Sequence, residues 1–323
     1  MSIVSRPHEL PGTDVYIDLA VPLGRRLLLR CEGFNFGGSV KTRTAAALVA
    51  AAERSGDLRE GTVLVESSSG NLGVALSAVA AGRGIPFVCV TDTRCNPATI
   101  RAMRAMGAEV EVVADPHPDG GLLGARKERV RRLCRDNPHY LWLNQYENPA
   151  NWIAHYEGTA PGIGKRFPGL DVLFVGAGTG GTLMGCARWF RDNGDSVRVV
   201  AVDAVGSANF GGPPAPRLIP GLGAHQQAPA LDLSAVHDAV HISEADTVRT
   251  CRALAARGFL LGGSTGTVVH GALTWLARND PDRALSSIAI SPDLGDRYLD
   301  TVYDDQWVVD HYGPAAVEPA RWP

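Results

Sequence analysis

The chain has 323 residues, of which 31 are basic and 34 are acidic, so its formal net charge is −3. This balance argues against nucleic acid as a partner, because proteins that bind it usually carry a basic patch. Apolar residues make up 45% and charged residues 20% of the chain, which excludes disorder as the main theme. The length corresponds to one large or two ordinary domains.

No apolar run approaches the roughly 18 residues that a membrane span requires, and residues 1–7 lack a hydrophobic signal core. We therefore expect a cytoplasmic protein with no membrane partner. The six cysteines are scattered, without a C-x-x-C pair or a spacing suited to a metal. We expect reduced thiols and no metal site.

Short β-branched runs alternate with longer helical stretches, a pattern typical of β-α units around a parallel sheet. The predicted strands are 26–30, 62–66, 86–90, 109–113, 171–175, 197–202 and 287–290. The predicted helices are 40–54 (with Ser39 as its N-cap), 72–83, 97–106, 121–135, 149–166, 182–192 and 244–257. The Gly- and Pro-rich stretch 206–229 is predicted to be a substrate-proximal loop or a mobile surface excursion.

Four loops combine glycine with hydroxyl or amide side chains, and each precedes a predicted helix. They are 37–41, 67–71, 176–182 and 262–266. A helix start built from small residues presents unpaired backbone N–H groups and a positive dipole end, which favour an anion. If these loops converge at the carboxyl edge of one sheet, they form a pocket for a ligand with more than one acidic group.

A dinucleotide fingerprint is the first alternative. Gly176, Gly178 and Gly181 satisfy G-x-G-x-x-G after a predicted strand, and Asp203 ends the next strand, as in nicotinamide dehydrogenases. However, this loop lies in the middle of the chain, and a dehydrogenase would leave the loops around Lys41 and Ser67 without a role. No G-x-x-x-x-G-K-[ST] segment indicates a P-loop nucleotide hydrolase.

Lys41 is the first candidate catalytic residue. It falls in the first turn of its predicted helix, after Gly37-Gly38-Ser39. The positive end of the helix dipole and partial desolvation would lower the pKa of its amine. Schiff-base chemistry requires a neutral amine. The alternative is a solvated surface lysine, which describes most lysines.

Several segments together resemble the cysteine synthase-like, fold type II family of pyridoxal-phosphate enzymes, and the likeness covers nearly the whole chain. In chain order they are 35–41, 66–73, 106–110, 144–151 and 178–182. The resemblance implies an α/β fold, tryptophan synthase β-like, in which two domains each contain a parallel sheet. It also implies that the cofactor, pyridoxal 5'-phosphate, lies in the cleft between them.

The resemblance further implies that a smaller domain, 36–145, carries the Schiff-base lysine and the substrate-carboxylate loop. The larger domain, 1–35 plus 146–323, would carry the loop for the cofactor phosphate. A homodimer is the expectation from the family. The expected partners are small-molecule amino-acid substrates.

The same resemblance implies roles for individual residues. Lys41 would form the Schiff base and Asn71 would hydrogen-bond the 3'-oxygen of the cofactor. The residues implied for the cofactor phosphate are Gly178, Thr179, Gly180, Gly181 and Thr182. Backbone N–H groups and threonine hydroxyls can satisfy a dianion without a cationic side chain.

On the substrate side, the resemblance implies that Ser67, Ser68, Ser69 and Gly70 bind the α-carboxylate with the help of Gln145. The alternative for this loop is a strand-to-helix turn with a capping serine. Arg126 and Tyr146 are implied to face the pocket, where Arg126 would pair with a phosphate or carboxylate. A structural role, which for Arg126 means a solvated helix face, is nearly as well supported for both.

The partner of the pyridine nitrogen departs from the pattern of the family. Cysteine synthases place a serine there in a Pro-Ser-Ser-Gly segment, whereas Pro292–Gly295 has Leu294 at the position of that hydroxyl. We expect Ser264 to take this place, with Asp293 as the alternative. A neutral hydroxyl leaves the ring less electron-demanding than a carboxylate would, which suits β-elimination.

Segments 66–76, 202–207 and 292–300 most resemble family members that join L-glutamate to O-phospho-L-serine. The product is N-(2-amino-2-carboxyethyl)-L-glutamate, a precursor of 2,3-diaminopropionate for a siderophore or a peptide antibiotic. One rival is a cysteine synthase that adds sulfide to O-phosphoserine or O-acetylserine. Another is a non-catalytic binding protein that has kept the fold.

Overall fold

A computed structural model describes residues 4–24 and 26–320. Residues 1–3, part of the segment predicted to lack a signal core, lie outside the described residues. Contacts divide the chain into two compact units, which we call unit 1 (Met1–Gly12 with Asn35–Asn151) and unit 2 (Thr13–Phe34 with Trp152–Pro323).

Both units are α/β. The strands are β1 Tyr16–Asp18, β2 Leu28–Cys31, β3 Val63–Ser67, β4 Phe87–Asp92, β5 Glu109–Val113, β6 Tyr140–Trp142, β7 Val172–Gly176, β8 Arg198–Ala204, β9 Asp238–Ile242 and β10 Ser287–Ser291. The α-helices are α1 Ala20–Leu23, α2 Lys41–Ser55, α3 Asn71–Arg83, α4 Pro97–Ala105, α5 Gly121–Asp136, α6 Ala150–Ala154, α7 Ala160–Arg166, α8 Gly181–Asp192, α9 Glu244–Ala255, α10 Gly263–Asn279 and α11 Asp305–Tyr312.

Unit 1 contains a four-stranded sheet in the order β5-β4-β3-β6, with every pair parallel. Successive residues of β3 point to opposite faces. Leu64 joins the cluster formed with α2, α3 and α4, and Val65 joins the cluster that includes Val130 of α5. The sheet is thus covered on both faces, as parallel sheets require. Ser67 and Asp92 lie at its carboxyl edge.

Unit 2 contains a six-stranded sheet in the order β1-β2-β10-β7-β8-β9. All pairs are parallel except the edge pair of β1 with β2. Phe174 of β7 packs in a cluster with α10, and its neighbour Leu173 packs on the other face with α7 and α8. The glycine loop after β7 and the residues after β8 therefore leave the same edge.

The predicted helix 149–166 is interrupted in the structure. Between α6 and α7, residues His155–Thr159 form a π-helical turn, in which the Ala160 N–H donates to the carbonyl of His155. Pro161 has no N–H to continue the α-helical pattern, and single π turns are frequent at functional sites.

Several elements were not predicted from the sequence, namely β1, β6, β9, α1 and α11, and α10 was predicted only as a helix after the loop 262–266, without bounds. The sequence assigned 1–35 to the larger domain, but contacts group residues before Gly12 with unit 1. The reason is local packing: the turn Pro7–Glu9 lies against α2 and α3, and Pro7 lies beside Gly82. Which unit holds which ligand stays a prediction. No helix in the described part of the chain has the length and apolar character needed to cross a membrane.

Candidate functional site

Lys41 is the first residue of α2, and Asn35 holds the loop before it. The Asn35 side chain donates to the Ser39 carbonyl (3.0 Å) and accepts from the Thr42 hydroxyl (2.6 Å). Gly38 has φ +67, a region that favours glycine. Ser39 Oγ accepts from the Lys41 N–H at 3.3 Å. The helix begins one residue later than predicted, so Val40 rather than Ser39 is its N-cap.

Burial lowers the pKa of the Lys41 amine to about 8. The direction is the expected one, and its cause is removal from water, since desolvation disfavours a charged amine. The sequence contains two other lysines. Lys127 lies with Nζ 4.9 Å from the ring centre of Tyr146, and Lys165 is exposed.

The loop before Lys41 approaches α3 closely. A Cβ at Gly37 would lie 3.3 Å from Ala75 Cα and would overlap the Thr42 hydroxyl. Asn71, the residue predicted for the 3'-oxygen of the cofactor, is the first residue of α3. The structure therefore brings these two predicted cofactor elements together within unit 1.

The loop 67–70 follows β3, and its serines differ in their surroundings. Ser68 is buried, and its Oγ accepts from the N–H groups of Gly70 (3.3 Å) and Gly73 (3.0 Å). Ser68 thus caps the start of α3, as expected for a strand-to-helix turn with a capping serine. Ser69 and Gly70 are half-buried, and they lie where the first N–H groups of α3 offer an anion site.

Two predicted substrate residues form hydrogen bonds with the backbone of this loop. Gln145 Nε2 donates to the Ser67 carbonyl at 2.9 Å, and the Tyr146 hydroxyl donates to the same oxygen at 3.0 Å. Burial raises the pKa of Tyr146, so the phenol stays a donor. The structure shows both side chains fixing the position of Ser67.

Glu66 anchors the same loop and was not predicted as a site residue. Its fully buried carboxylate accepts from Trp142 Nε1 (3.0 Å), the Ser67 N–H (2.7 Å) and the Gln145 N–H (3.0 Å). Burial raises its pKa to about 7, against the opposing effect of these hydrogen bonds. The sequence feature that could have identified Glu66 is an acidic residue directly after the apolar run 63–65.

Arg126 is buried rather than solvated, with 7% of its surface exposed. Its Nε lies 3.1 Å from Oδ2 of Asp92, at the carboxyl end of β4. Asp92 is 1% exposed and was not predicted as a partner. This contact is an ion pair without hydrogen-bond geometry. It holds Arg126, whose planar guanidinium has several N–H donors, near the edge of the sheet.

The predicted phosphate loop runs from β7 into α8. Gly180 has φ +83, and α8 begins at Gly181. Thr179 is half-buried, and Thr182 is 9% exposed. The N–H groups of the first helical turn have no partner within the helix. Small residues, free N–H groups and threonine hydroxyls at a helix start fit a phosphate dianion.

The stretch 206–229 packs on this loop. The Gly223 N–H donates to the Ala177 carbonyl at 2.8 Å. Asn209 Nδ2 donates to the Gly178 carbonyl at 3.1 Å, and a Cβ at Gly178 would lie 2.6 Å from the Gly221 carbonyl oxygen. Sequence patterns did not identify Asn209, because its partner lies 31 residues away.

Ser264 is the second residue of α10 and is 2% exposed. Its hydroxyl donates to the Pro220 carbonyl at 3.4 Å. Asp293 accepts a 2.6 Å hydrogen bond from the Tyr298 hydroxyl, and its carboxylate lies against Gly262. Both candidates for the pyridine nitrogen thus have hydrogen-bond partners inside unit 2, and the choice of Ser264, with Asp293 as the alternative, stays a prediction.

Comparisons with known proteins identify the family of this chain. Residues 16–289 match the family described as pyridoxal-phosphate dependent enzyme. The chain is 40% identical to the N-(2-amino-2-carboxyethyl)-L-glutamate synthase of Ralstonia nicotianae over 86% of this chain and 82% of the relative. It is also 40% identical to the enzyme of the same name in Cupriavidus metallidurans, over 93% of this chain and 90% of the relative.

Solved structures with the same fold include other enzymes. A hydrogen sulfide-producing enzyme from Fusobacterium nucleatum gives a TM-score of 0.86 at 28% identity, covering 93% of this chain and 99% of its own. The O-acetylserine dependent cystathionine beta-synthase of Helicobacter pylori gives 0.83 at 29%, with the same two coverages. An O-ureido-L-serine synthase gives 0.85 at 31%, covering 96% of each chain.

Proposed function

Since this chain belongs to the pyridoxal-phosphate dependent enzyme family, we propose that it catalyses a β-replacement on O-phospho-L-serine with L-glutamate as the nucleophile. The Cβ–O bond to phosphate breaks, and a bond forms from Cβ to the amino nitrogen of glutamate. The products are N-(2-amino-2-carboxyethyl)-L-glutamate and inorganic phosphate. The observation that carries this proposal is 40% identity, over most of the chain, to two enzymes named N-(2-amino-2-carboxyethyl)-L-glutamate synthase.

Pyridoxal phosphate, when bound, supplies an electron sink that makes the Cα proton of an amino acid acidic. Lys41 is the residue of this chain proposed to bind it and to move that proton. Its amine has a pKa of about 8 because it is buried. An amine with this pKa is neutral often enough near pH 7 to accept a proton from Cα.

Two loops of unit 2 are proposed to hold the cofactor. The helix start at 178–182 would bind its phosphate through backbone N–H groups and the hydroxyls of Thr179 and Thr182. Ser264 would lie beside the pyridine nitrogen, where its neutral hydroxyl leaves the ring less electron-withdrawing than a carboxylate would. Asn71, in unit 1, is proposed for the 3'-oxygen.

The substrate carboxylate is proposed to bind at Ser69 and Gly70, while Ser67 and Ser68 build the loop. This division follows the contacts, because Ser68 Oγ is occupied by two N–H groups and the Ser67 carbonyl by Gln145 and Tyr146. Arg126, oriented by Asp92, is proposed for a second acidic group, which both phosphoserine and glutamate carry. Arginine matches carboxylate and phosphate equally well.

The test is product analysis with purified holoenzyme, phosphoserine and [15N]glutamate. We expect phosphate release together with an adduct that retains the 15N, and we expect Lys41→Ala to produce neither. Lys165→Ala, which removes an exposed lysine, is the matched control and should keep full turnover. Absence of phosphate release would instead favour the non-catalytic binding protein.

A second candidate is the addition of sulfide in place of glutamate. Two relatives of known structure, at 28% and 29% identity, are a hydrogen sulfide-producing enzyme and an O-acetylserine dependent cystathionine beta-synthase, so sulfur chemistry occurs on this fold. The same assay with sulfide separates the two functions. Fast formation of cysteine without a glutamate adduct would replace the first proposal by this one.

We also propose that the enzyme is a homodimer and that its product supplies a siderophore or a peptide antibiotic. Both points rest on the family resemblance of the sequence. Light scattering at several concentrations tests the dimer, and a constant monomer mass would contradict it.

A further inference from the structure

His155 is a completely buried histidine that links the π-helical turn to the phosphate loop. Its Nδ1 lies 2.9 Å from the hydroxyl of Thr159, and its Nε2 lies 3.3 Å from the hydroxyl of Thr182. Thr182 is the last residue of the proposed phosphate loop. All of these residues belong to unit 2.

Close packing fixes this contact. A Cβ at Gly185 of α8 would lie 2.5 Å from His155 Cβ and from the Trp152 carbonyl oxygen, and 2.7 Å from the Tyr156 nitrogen. Glycine therefore lets the backbone of α8 meet the widened π turn directly. This approach places His155 against α8, where its two ring nitrogens contact the hydroxyls of Thr159 and Thr182.

The tautomer of His155 determines where the proton of the Thr182 hydroxyl points. A neutral imidazole has one N–H donor and one acceptor nitrogen. If Nε2 carries the proton, it donates to Thr182, and the single proton of the Thr182 hydroxyl is left for another acceptor. If Nδ1 carries it, Nε2 takes the Thr182 proton, and that hydroxyl turns only lone pairs toward the loop.

A phosphate dianion accepts hydrogen bonds and donates none, so it is compatible with the first arrangement alone. We propose that His155 is a positioning residue, whose Nε2–H tautomer orients the Thr182 hydroxyl proton toward the phosphate of the cofactor. This inference rests on the proposed assignment of 178–182 to that phosphate. The Thr159 hydroxyl then donates to Nδ1 and completes the chain of donors.

The test is a double-mutant cycle on cofactor affinity, measured by titrating apoprotein with pyridoxal phosphate. His155→Leu and Thr182→Val should each weaken binding about tenfold, the size of one hydrogen bond to a charged group. The double variant should lose little more than either single variant, because both remove the same hydrogen bond to phosphate. His155→Gln, which keeps an N–H donor, should recover most of the affinity.

A matched control is the Thr250–His270 pair, in which the hydroxyl lies 3.0 Å from Nδ1 between α9 and α10. His270→Leu should leave cofactor affinity unchanged. A merely structural role for His155 predicts a lower melting temperature of the apoprotein in both His→Leu variants, with no shift of the 31P resonance of bound cofactor. We expect that resonance to shift for His155→Leu and not for His270→Leu.

The outcomes are distinguishable. If Thr182→Val binds the cofactor normally, the phosphate-loop assignment fails, and the proposed cofactor site fails with it. If Thr182→Val weakens binding but His155→Leu does not, or if the two losses add, the role of His155 alone is refuted. Should His155→Leu not fold, 15N spectroscopy of the wild-type holoenzyme decides: an Nε2–H tautomer supports the inference and an Nδ1–H tautomer overturns it.

Discussion

Replacing Gly178 by alanine tests the phosphate loop through a single methyl group. The new Cβ would lie 2.6 Å from the carbonyl oxygen of Gly221 and 3.7 Å from its carbonyl carbon. Ordinary contacts begin near 3.4 Å, so one of the two backbone segments must shift. The obstacle is backbone rather than a flexible side chain, and φ at Gly221 is +111, which further restricts how that carbonyl can turn.

Overpacking of this kind costs about 1–3 kcal/mol. Asn209 also holds the Gly178 carbonyl, so the displacement should reach the N–H groups that follow. If most of this cost falls on the cofactor-binding conformation, the affinity for pyridoxal phosphate drops between about fivefold and about 150-fold. The free energy of unfolding of the apoprotein should change less.

The assay is titration of apoprotein with pyridoxal phosphate, followed by absorbance. Gly169→Ala is the matched control, because nothing lies within 4 Å of its added Cβ and its φ is not in the left-handed region. It should bind like the wild type. Normal cofactor affinity in Gly178→Ala would refute the assignment of this loop to the cofactor phosphate.

Three further predictions follow from the titratable and hydroxyl groups of the site. The folded-state pKa of Glu66, about 7, lies above its ordinary value of 4.5, so its contribution to stability is full below pH 4.5 and is lost as the pH rises through 7. At about 1.4 kcal/mol per pH unit, this loss is about 3 kcal/mol. Urea unfolding at several pH values should show it as a fall in the free energy of unfolding of the wild type and not of Glu66→Gln. The same pH dependence in both proteins would contradict the effect of burial on the Glu66 carboxylate. The rate at which apoprotein recombines with pyridoxal phosphate should rise with pH with a midpoint near 8, where half of the Lys41 amine is neutral; a midpoint near 10.5 would contradict its burial. Ser264→Ala should lower kcat and change KM little. Asp293→Asn should mainly lower the melting temperature, because it alters the contact with Tyr298. The reverse result would assign Asp293 to the pyridine nitrogen.

Sequence patterns predicted the fold class, and the comparisons confirm it. Long apolar strands such as β7 and β8 have a clear signal, because both of their faces are buried. The short edge strands β1 and β6 have three residues each, too few for a periodic pattern. Hydrophobic spacing also cannot distinguish an α-helical turn from the π turn at 155–159, because the difference is one backbone hydrogen bond.

Sequence patterns could identify the candidate residues that lie in short local motifs. Lys41 and the two glycine loops are local motifs, and the structure places them at helix starts. The supporting contacts were not predictable in the same way. Glu66 with Trp142, Arg126 with Asp92, and His155 with Thr182 pair residues that are far apart in the sequence, so only the fold brings them together.

The most direct test of the proposed chemistry is to trap the lysine that bonds to the cofactor. The sequence has three lysines, Lys41, Lys127 and Lys165, so reduction of the holoenzyme with borohydride and peptide mass analysis gives an unambiguous answer. We expect the reduced cofactor on Lys41 and on neither of the others. Modification of Lys127 or Lys165, or an unmodified Lys41 in protein that is active before reduction, would contradict the assignment of Lys41.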